Sequence, residues 1–373
     1  MIVKRIAITG ADGFIGKNLR IRLGEFKNLD VASITRDTPL DEVEAALLNA
    51  DLVYHLAGIN RPENPAEFEL GNAELTKRVC ATLGSVGGKA SLVLSSSIQA
   101  KLDNPYGKSK ADAEQAVLDY HEKTGAAVHI FRLPNVFGKW AKPNYNSAIA
   151  TFCYNIARGL PVTVNDPRAV LQLAYVDDVI DAFLSAAKDV APSEPFSAVE
   201  PAYTTTVGAV VETLSEFLKS RDSLNIPPVG NGLNRALYST YVSYLPSGDF
   251  AYQVPLHADD RGVFVEMLKT RDSGQFSYFT ARPGITRGDH YHHSKTEKFL
   301  VIQGSAHFGF RNIVTGETHD LVAHGGEGRI VDTVPGWTHN ITNIGEVDLL
   351  VMLWANEIFD PQRPDTVGMK VDA

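Results

Sequence analysis

Two stretches of the chain set chemistry-bearing side chains at short, regular spacing. The first is Tyr106-Gly-Lys-Ser-Lys110, a phenol and an ammonium four residues apart. On a helix that spacing puts both on one face. A phenol with an ordinary pKa near ~10 is a poor acid–base partner at neutral pH. A nearby ammonium favours the phenolate and can also hold a ribose, so the pair suits proton donation to a carbonyl oxygen as hydride arrives. Ser95-Ser96-Ser97 ends a strand-like run just before, and the hydroxyl of Ser96 or Ser97 is placed to hydrogen-bond that carbonyl. The second stretch is Gly284-x5-His290-x-His292-x4-Glu297-x6-Gly304. Residues two apart on a strand face the same way. His290 and His292, with Glu297, thus offer two imidazoles and a carboxylate, a donor set for a divalent ion with zinc foremost. His290 has a second reading, as a proton-transferring base, and both stand. His293 is expected to point outward into solvent.

These side chains need elements to carry them. The apolar run Arg5–Thr9 meets Gly10, Gly13 and Gly16 and then a helical pattern, with Phe14 and Ile15 inside the turn. Such a turn lets backbone approach a pyrophosphate, and the helix N-terminus offers free N–H groups to it. Arg36 follows the second strand, where an acid would grip a ribose diol; an arginine there suits a 2′-phosphate and so NADPH. Strand and helix patterns alternate through residues 1–190, which predicts a parallel sheet covered on both faces. Residues 204–219 read as a helix and 220–250 as a loop-rich connector. From about 250 onward, short strands split by Gly, Pro and Asp predict an antiparallel sandwich or barrel. The fold class is therefore α/β followed by all-β, with domains at 1–245 and 246–373.

Bulk properties narrow the partners. The 373 residues suit two domains, and 44% hydrophobic content supplies their cores. A net charge of −9 with no long basic run argues against nucleic acid. Two cysteines, Cys80 and Cys153, are too few for a disulfide framework or a thiolate zinc cluster. The opening strand leaves no room for a leader, and no apolar run is long enough to cross a bilayer. The expectation is a cytoplasmic protein with no membrane partner.

The N-terminal motifs resemble the extended short-chain dehydrogenase/reductase family over about 1–240. Asp51-Leu-Val-Tyr-His-Leu-Ala-Gly58 is similar to that family's mid-sheet strand, which implies that Leu56, Ala57 and Gly58 line the cofactor. Arg132-Leu-Pro-Asn135-Val-Phe-Gly138 resembles its substrate-side strand and loop, implying Leu133 at the cofactor and Asn135 at the substrate. Tyr175-Val-Asp-Asp178-Val resembles a late structural motif. The interval between Arg36 and Asp51 is short for that family, which puts its usual third strand in doubt. The C-terminal pattern resembles the cupins, with Pro335-Gly-Trp-Thr-His339-x3-Asn343 as the second motif, which implies that His339 joins His290, His292 and Glu297 inside the barrel as a third imidazole of the metal set. Arg287-Gly-Asp-His290-Tyr and Asp259-Asp-Arg-Gly-Val-Phe resemble dTDP-sugar 3,5-epimerases, in which the histidine is the base; this implies Arg287 at the substrate. Both modules in this order resemble the CapF-type family of bifunctional capsular polysaccharide enzymes. That resemblance implies a UDP-linked keto-deoxy amino sugar, UDP-2-acetamido-2,6-dideoxy-L-arabino-4-hexulose. The cupin would epimerise its carbon 3, and the reductase would reduce the carbon-4 ketone with NADPH. The product is UDP-N-acetyl-6-deoxy-L-talosamine, on the route to UDP-N-acetyl-L-fucosamine for capsule or O-antigen. It also implies a homodimer. Two alternatives remain: a monofunctional reductase with a non-catalytic cupin for binding or dimerisation, and an NADPH-sensing regulator.

Overall fold

The structure is a computed structural model describing residues 4–85, 90–188, 192–259, 262–265, 268, 270, 274–357 and 360–372. It divides into two compact units, Met1–Lys142 with Gln172–Thr204, and Pro143–Leu171 with Thr205–Ala373.

The first unit is built on a parallel sheet. Its strands are β1 (Arg5–Thr9), β2 (Asp30–Ile34), β3 (Leu52–His55), β4 (Ser91–Ser97) and β5 (Val128–Leu133), then β6 (Asn135–Phe137), β7 (Val170–Tyr175) and β8 (Phe196–Ser197). The six-stranded sheet runs in the order β2-β1-β3-β4-β5-β8, and β6 pairs in parallel with β7 beside it. Strands covered on both faces need near-continuous apolar text, which Leu52-Val53-Tyr54 and Leu92-Val93-Leu94 supply; all six are buried. Among the described residues no strand lies beyond β2, because the chain from Arg36 to Asp51 holds only the helix Leu40–Asn49. The helix Pro105–Thr124 has a well-made start and stop. Asn104 caps it by accepting from the Gly107 N–H at 2.7 Å, proline opens its first turn, and Gly125 closes it at φ 70°.

The second unit holds the helix Ala148–Ile156 and, past the short strand β9 (Tyr203–Thr206), two more helices and a set of antiparallel strands. After β10 (Ala251–Gln253) come the hairpin β11 (Leu256–Asp259) and β12 (Gly262–Val265), then β13 (Gln275–Ala281), β14 (Thr286–Tyr291) and β15 (Glu297–Gln303). They continue as β16 (Ser305–Asn312), β17 (Thr318–His324), β18 (Arg329–Asp332), β19 (Trp337–Asn343), β20 (Leu349–Ala355) and β21 (Val367–Gly368). One five-stranded sheet runs β10-β18-β15-β20-β13 and the other β17-β16-β19-β14-β21. Their apolar faces meet, with Phe299 of the first 5.9 Å from Phe308 of the second, ring centre to ring centre. The α/β and all-β classes are thus both present. Asp260 and Arg261 of the epimerase-like segment lie outside the described residues.

Residues 220–250 are not a loop-rich connector. They contain the helix Gly232–Ser243, which buries Ala236, Leu237, Tyr238, Tyr241 and Val242. Proline and glycine at 227–232 dominate the local text, but burial of that apolar face decides the conformation. The preceding helix, Val207–Ser223, is pinned to the antiparallel sheets by charge. Arg221 donates to Asp332 at 2.7 Å and to the Asp249 carbonyl at 2.6 Å, and Lys298 donates to the other Asp332 oxygen. Packing therefore groups both helices, which precede residue 246, with the antiparallel sheets.

Candidate active sites

The first site lies at the carboxyl edge of the parallel sheet, where crevices of open α/β sheets form. Gly10 sits at φ +70°, and a Cβ there would lie 2.7 Å from the Ala57 nitrogen. A Cβ on Gly16 would lie 2.2 Å from the Gly10 carbonyl oxygen, so only glycine lets the helix Phe14–Gly24 approach the turn. Phe14 and Ile15 are half-buried in its first turn, Gly13 is exposed, and Arg36 is exposed just past β2. Leu56 and Ala57 are half-buried and Gly58 is exposed after β3. The Ala57 N–H donates to Thr9 Oγ1 at 3.2 Å. Leu133 is buried, and Asn135 is exposed with its amide donating to the Gln172 carbonyl at 3.2 Å.

Tyr106 and Lys110 share one face of the helix Pro105–Thr124 and lean toward the end of β4. Burial raises the Tyr106 phenol above its usual range, while a hydrogen bond with Ser97 pulls the other way. The Lys110 ammonium donates to the Ser95 carbonyl at 2.7 Å. Burial lowers its pKa to about 8, against the opposing field of Glu114. The two serine candidates separate. Ser96 donates to Glu114, which also takes a forked pair from Arg132 at 3.0 and 2.6 Å; Ser97 faces Tyr106.

Several residues here escaped the sequence reading. His55 is buried between Thr9 Oγ1 at 2.7 Å and Thr76 Oγ1 at 2.9 Å. Asn72, in a π-helical turn at Glu69–Glu74, ties Ile59 N–H at 2.9 Å and Ser109 Oγ at 3.0 Å together. Phe68 packs its ring 5.3 Å from Tyr106. No spacing in the sequence marks them; the structure shows them through the π-helical turn, a feature that gathers at functional sites. A cleft of about 240 Å³ beside Arg5, Asp30 and Asn49 opens at the opposite edge of the sheet and holds none of these groups.

The second site lies between the two antiparallel sheets. One ligand atom from each of His290, His292, Glu297 and His339 lies within 4.8 Å of all the others. A β-bulge between Gly288 and His290 re-aims the strand there. His292 Nε2 stands 3.1 Å from Glu297 Oε2, and its Nδ1 is hydrogen-bonded to the Asp365 carbonyl. Burial, then the neighbouring His339 and His292, lower His290 to about 4. Burial also lowers His339. Glu297 ends well below its usual range: burial works to raise it, but the charge and hydrogen bond of His292, the neighbouring His339 and Lys295 prevail. A cavity of about 190 Å³ opens onto His290, Glu297 and His339, with Arg287, Phe279 and Leu353 among its walls. The Arg287 guanidinium lies 5.1 Å from the centre of the Phe279 ring. The residues fit a metal: His339 is buried with neither ring nitrogen hydrogen-bonded, Glu297 being 3.7 Å away. A neutral imidazole with a free lone pair beside an ionised carboxylate is the donor chemistry of a divalent ion. His293 is not solvated. It is buried, 5.5 Å from the Tyr291 ring centre, because the chain from His292 to Lys298 turns inward as a whole.

A UDP-2-acetamido-2,6-beta-L-arabino-hexul-4-ose reductase from Pseudomonas aeruginosa is 52% identical over 367 residues, covering 98% of this chain and 99% of its own length. The crystal structure of capsular polysaccharide assembling protein CapF from Staphylococcus aureus is 45% identical, with a TM-score of 0.68 over 98% of this chain and 100% of that one. The chain belongs to the CapF-type family. Its two parts match separately as well: residues 6–198 to the NAD dependent epimerase/dehydratase family, and 257–367 to the polysaccharide biosynthesis C-terminal domain. UDP-glucuronic acid decarboxylase 1 from Arabidopsis thaliana is 25% identical over 48% of this chain and 51% of its own length. A nicotinamide nucleotide is the cofactor this membership implies for the glycine turn of a CapF-type chain. Among the described residues no helix is long and apolar enough to cross a membrane.

Proposed function

We propose that this CapF-type chain is a bifunctional nucleotide-sugar enzyme. Its antiparallel part epimerises carbon 3 of UDP-2-acetamido-2,6-dideoxy-L-arabino-4-hexulose, and its parallel-sheet part reduces the carbon-4 ketone. The product is UDP-N-acetyl-6-deoxy-L-talosamine, on the route to UDP-N-acetyl-L-fucosamine for capsule or O-antigen. The functional halves are taken as 1–245 and 246–373, working as a homodimer in the cytoplasm. The observation that carries the reading is the presence of two separate chemical sets, Ser97-Tyr106-Lys110 in one unit and His290-His292-Glu297-His339 in the other.

In the reductase half, the Gly10–Gly16 turn would hold NADPH, which would supply hydride to carbon 4. Tyr106 gives its proton to the carbonyl oxygen, and Ser97 holds that oxygen; Ser96, engaged by Glu114, is left to positioning. The Lys110 charge favours the phenolate left behind and fixes the nicotinamide ribose. Arg36 favours the 2′-phosphate of NADPH, and Asn135 contacts the sugar. In the other half, His290, His292, Glu297 and His339 would hold a divalent ion, zinc by donor type, which supplies Lewis acidity toward the sugar's keto oxygen. Arg287, on the wall of that cavity, faces the nucleotide-sugar. The carbon-3 proton is acidic beside the ketone, and its removal and return on opposite faces invert the centre.

Tyr106→Phe is expected to abolish NADPH oxidation while leaving solvent deuterium wash-in at carbon 3 intact; His290→Ala is expected to stop the wash-in. Metal content of His290→Ala separates its roles, since a ligand loses the ion and a base keeps it. Both activities lost in both folded variants would overturn the two-site reading. The name of the Pseudomonas relative specifies a reductase alone, which favours a second reading: a monofunctional reductase with a non-catalytic C-terminal module. Absence of carbon-3 exchange in the wild type without NADPH would establish that reading instead.

A further inference from the structure

We infer that Asp365 is a positioning residue for the metal centre, shaping the turn that brings His292 and Glu297 onto one ion; this rests on the reading that the cluster binds metal. His292 and Glu297 are five residues apart. In a continuous strand that odd spacing would send them to opposite faces. They meet at 3.1 Å only because residues 293–296 fold into a turn whose every residue is buried. Buried backbone N–H groups need partners, and one side chain supplies three. Asp365 Oδ1 accepts from the His293 N–H at 2.8 Å, and Oδ2 accepts from the Ser294 and Lys295 N–H groups at 2.7 Å each. Oδ2 also accepts from the Ser294 hydroxyl at 3.1 Å. His292 Nδ1 is hydrogen-bonded to the Asp365 backbone carbonyl, and Nε2 is the ring nitrogen turned toward Glu297. That is the arrangement by which outer partners fix a ligand's tautomer and aim.

The segment carrying Asp365 is fastened beside a third ligand. Val367 and Gly368 pair with Tyr291 and His290, and the Met369 N–H donates to the Asp289 carbonyl at 2.8 Å. On the other side of the turn, Arg235 donates to the Ser294 hydroxyl at 2.6 Å and Ser239 to the Ser294 carbonyl at 2.5 Å. Those contacts hold Ser294, and Asn356 holds Thr296; among the described residues it is the Asp365 side chain that ties His293, Ser294 and Lys295 together.

The test is Asp365→Asn, whose amide places N–H hydrogens against N–H donors. Zinc affinity, measured against a chelating indicator, is expected to fall on the order of tenfold to a hundredfold, the usual cost of losing an outer partner. The visible absorption of the Co²⁺-loaded protein is expected to change shape, because the ligand geometry changes. Leu349→Ala, a core truncation on β20, is the control for lost stability and is expected to leave both readouts unchanged. If Asp365→Asn does not yield folded protein, Ser294→Ala removes one of its four bonds and is expected to weaken zinc several-fold with an altered cobalt spectrum. Wild-type affinity and spectrum in the folded variant used would overturn the inference, as would equal weakening by Leu349→Ala. A wild-type protein that takes up neither ion would overturn the metal reading, and this inference with it.

Discussion

Lowering the pH should attack the cofactor cradle through His55. This imidazole is 1% exposed, and burial, assisted by the Lys110 charge, pulls its pKa from 6.5 to about 3. Above about pH 6.5 neither the folded nor the unfolded chain protonates it, so its stabilising contribution is fully present. Below that, the unfolded chain takes up a proton that the folded chain refuses, and stability declines until the pH nears 3. A gap of about 3.5 pH units at ~1.36 kcal/mol each comes to about 5 kcal/mol over the whole window. Between pH 6.5 and 4.5 the loss is about 2 kcal/mol. His55→Asn removes the titration while keeping one polar contact, so the stability advantage of wild type over variant should shrink by that amount. Urea unfolding at several pH values, followed by circular dichroism, measures it. The ring carbon resonance of His55 should also stay flat down to about pH 4, well above its pKa of about 3. Parallel stability curves, or a His55 resonance that titrates near 6.5, would refute the argument. His55 is tied to the site through Thr9 Oγ1, which serves both its ring and the Ala57 N–H.

Two further changes test the scaffold on either side. Gly16→Ala puts a methyl 2.2 Å from the Gly10 carbonyl oxygen; overpacking strain of ~1–3 kcal/mol should weaken NADPH binding by roughly tenfold or more, and an unchanged Kd by fluorescence titration would contradict it. Lys298→Met strips one cation from buried Asp332 and leaves Arg221 as its counter-ion. A loss of roughly 3 kcal/mol in chemical unfolding is expected, and a loss below about 1 kcal/mol would mean that Arg221 suffices alone.

Much of each site could be read directly because its residues are near neighbours in the chain. The glycine turn, the Tyr106–Lys110 pair and the His290–His292 pair each follow from local spacing; the structure puts Tyr106 and Lys110 on one helix and His290 at the end of β14, with His292 just past it. What stayed hidden depends on distant partners. Choosing between Ser96 and Ser97 required Glu114 and Arg132, which come from a later helix and strand. His293 was misjudged because alternation holds along a strand and fails in the turn that follows His292. The helix Gly232–Ser243 was obscured by the prolines and glycines before it, since its burial is set by tertiary packing. Asp365 carried no motif at all; its importance lies in three N–H groups some seventy positions earlier.

The helix Gly232–Ser243 also bears on how such a fusion can be taken apart. Arg235 and Ser239 grip Ser294, and Arg221 from the preceding helix neutralises Asp332. Cutting the gene at the familiar seam near codon 246 would leave these anchors on the wrong fragment. A donor that begins upstream of Thr205 carries both helices with the sheets they brace, and one that keeps the compact unit whole must bring Pro143–Leu171 as well.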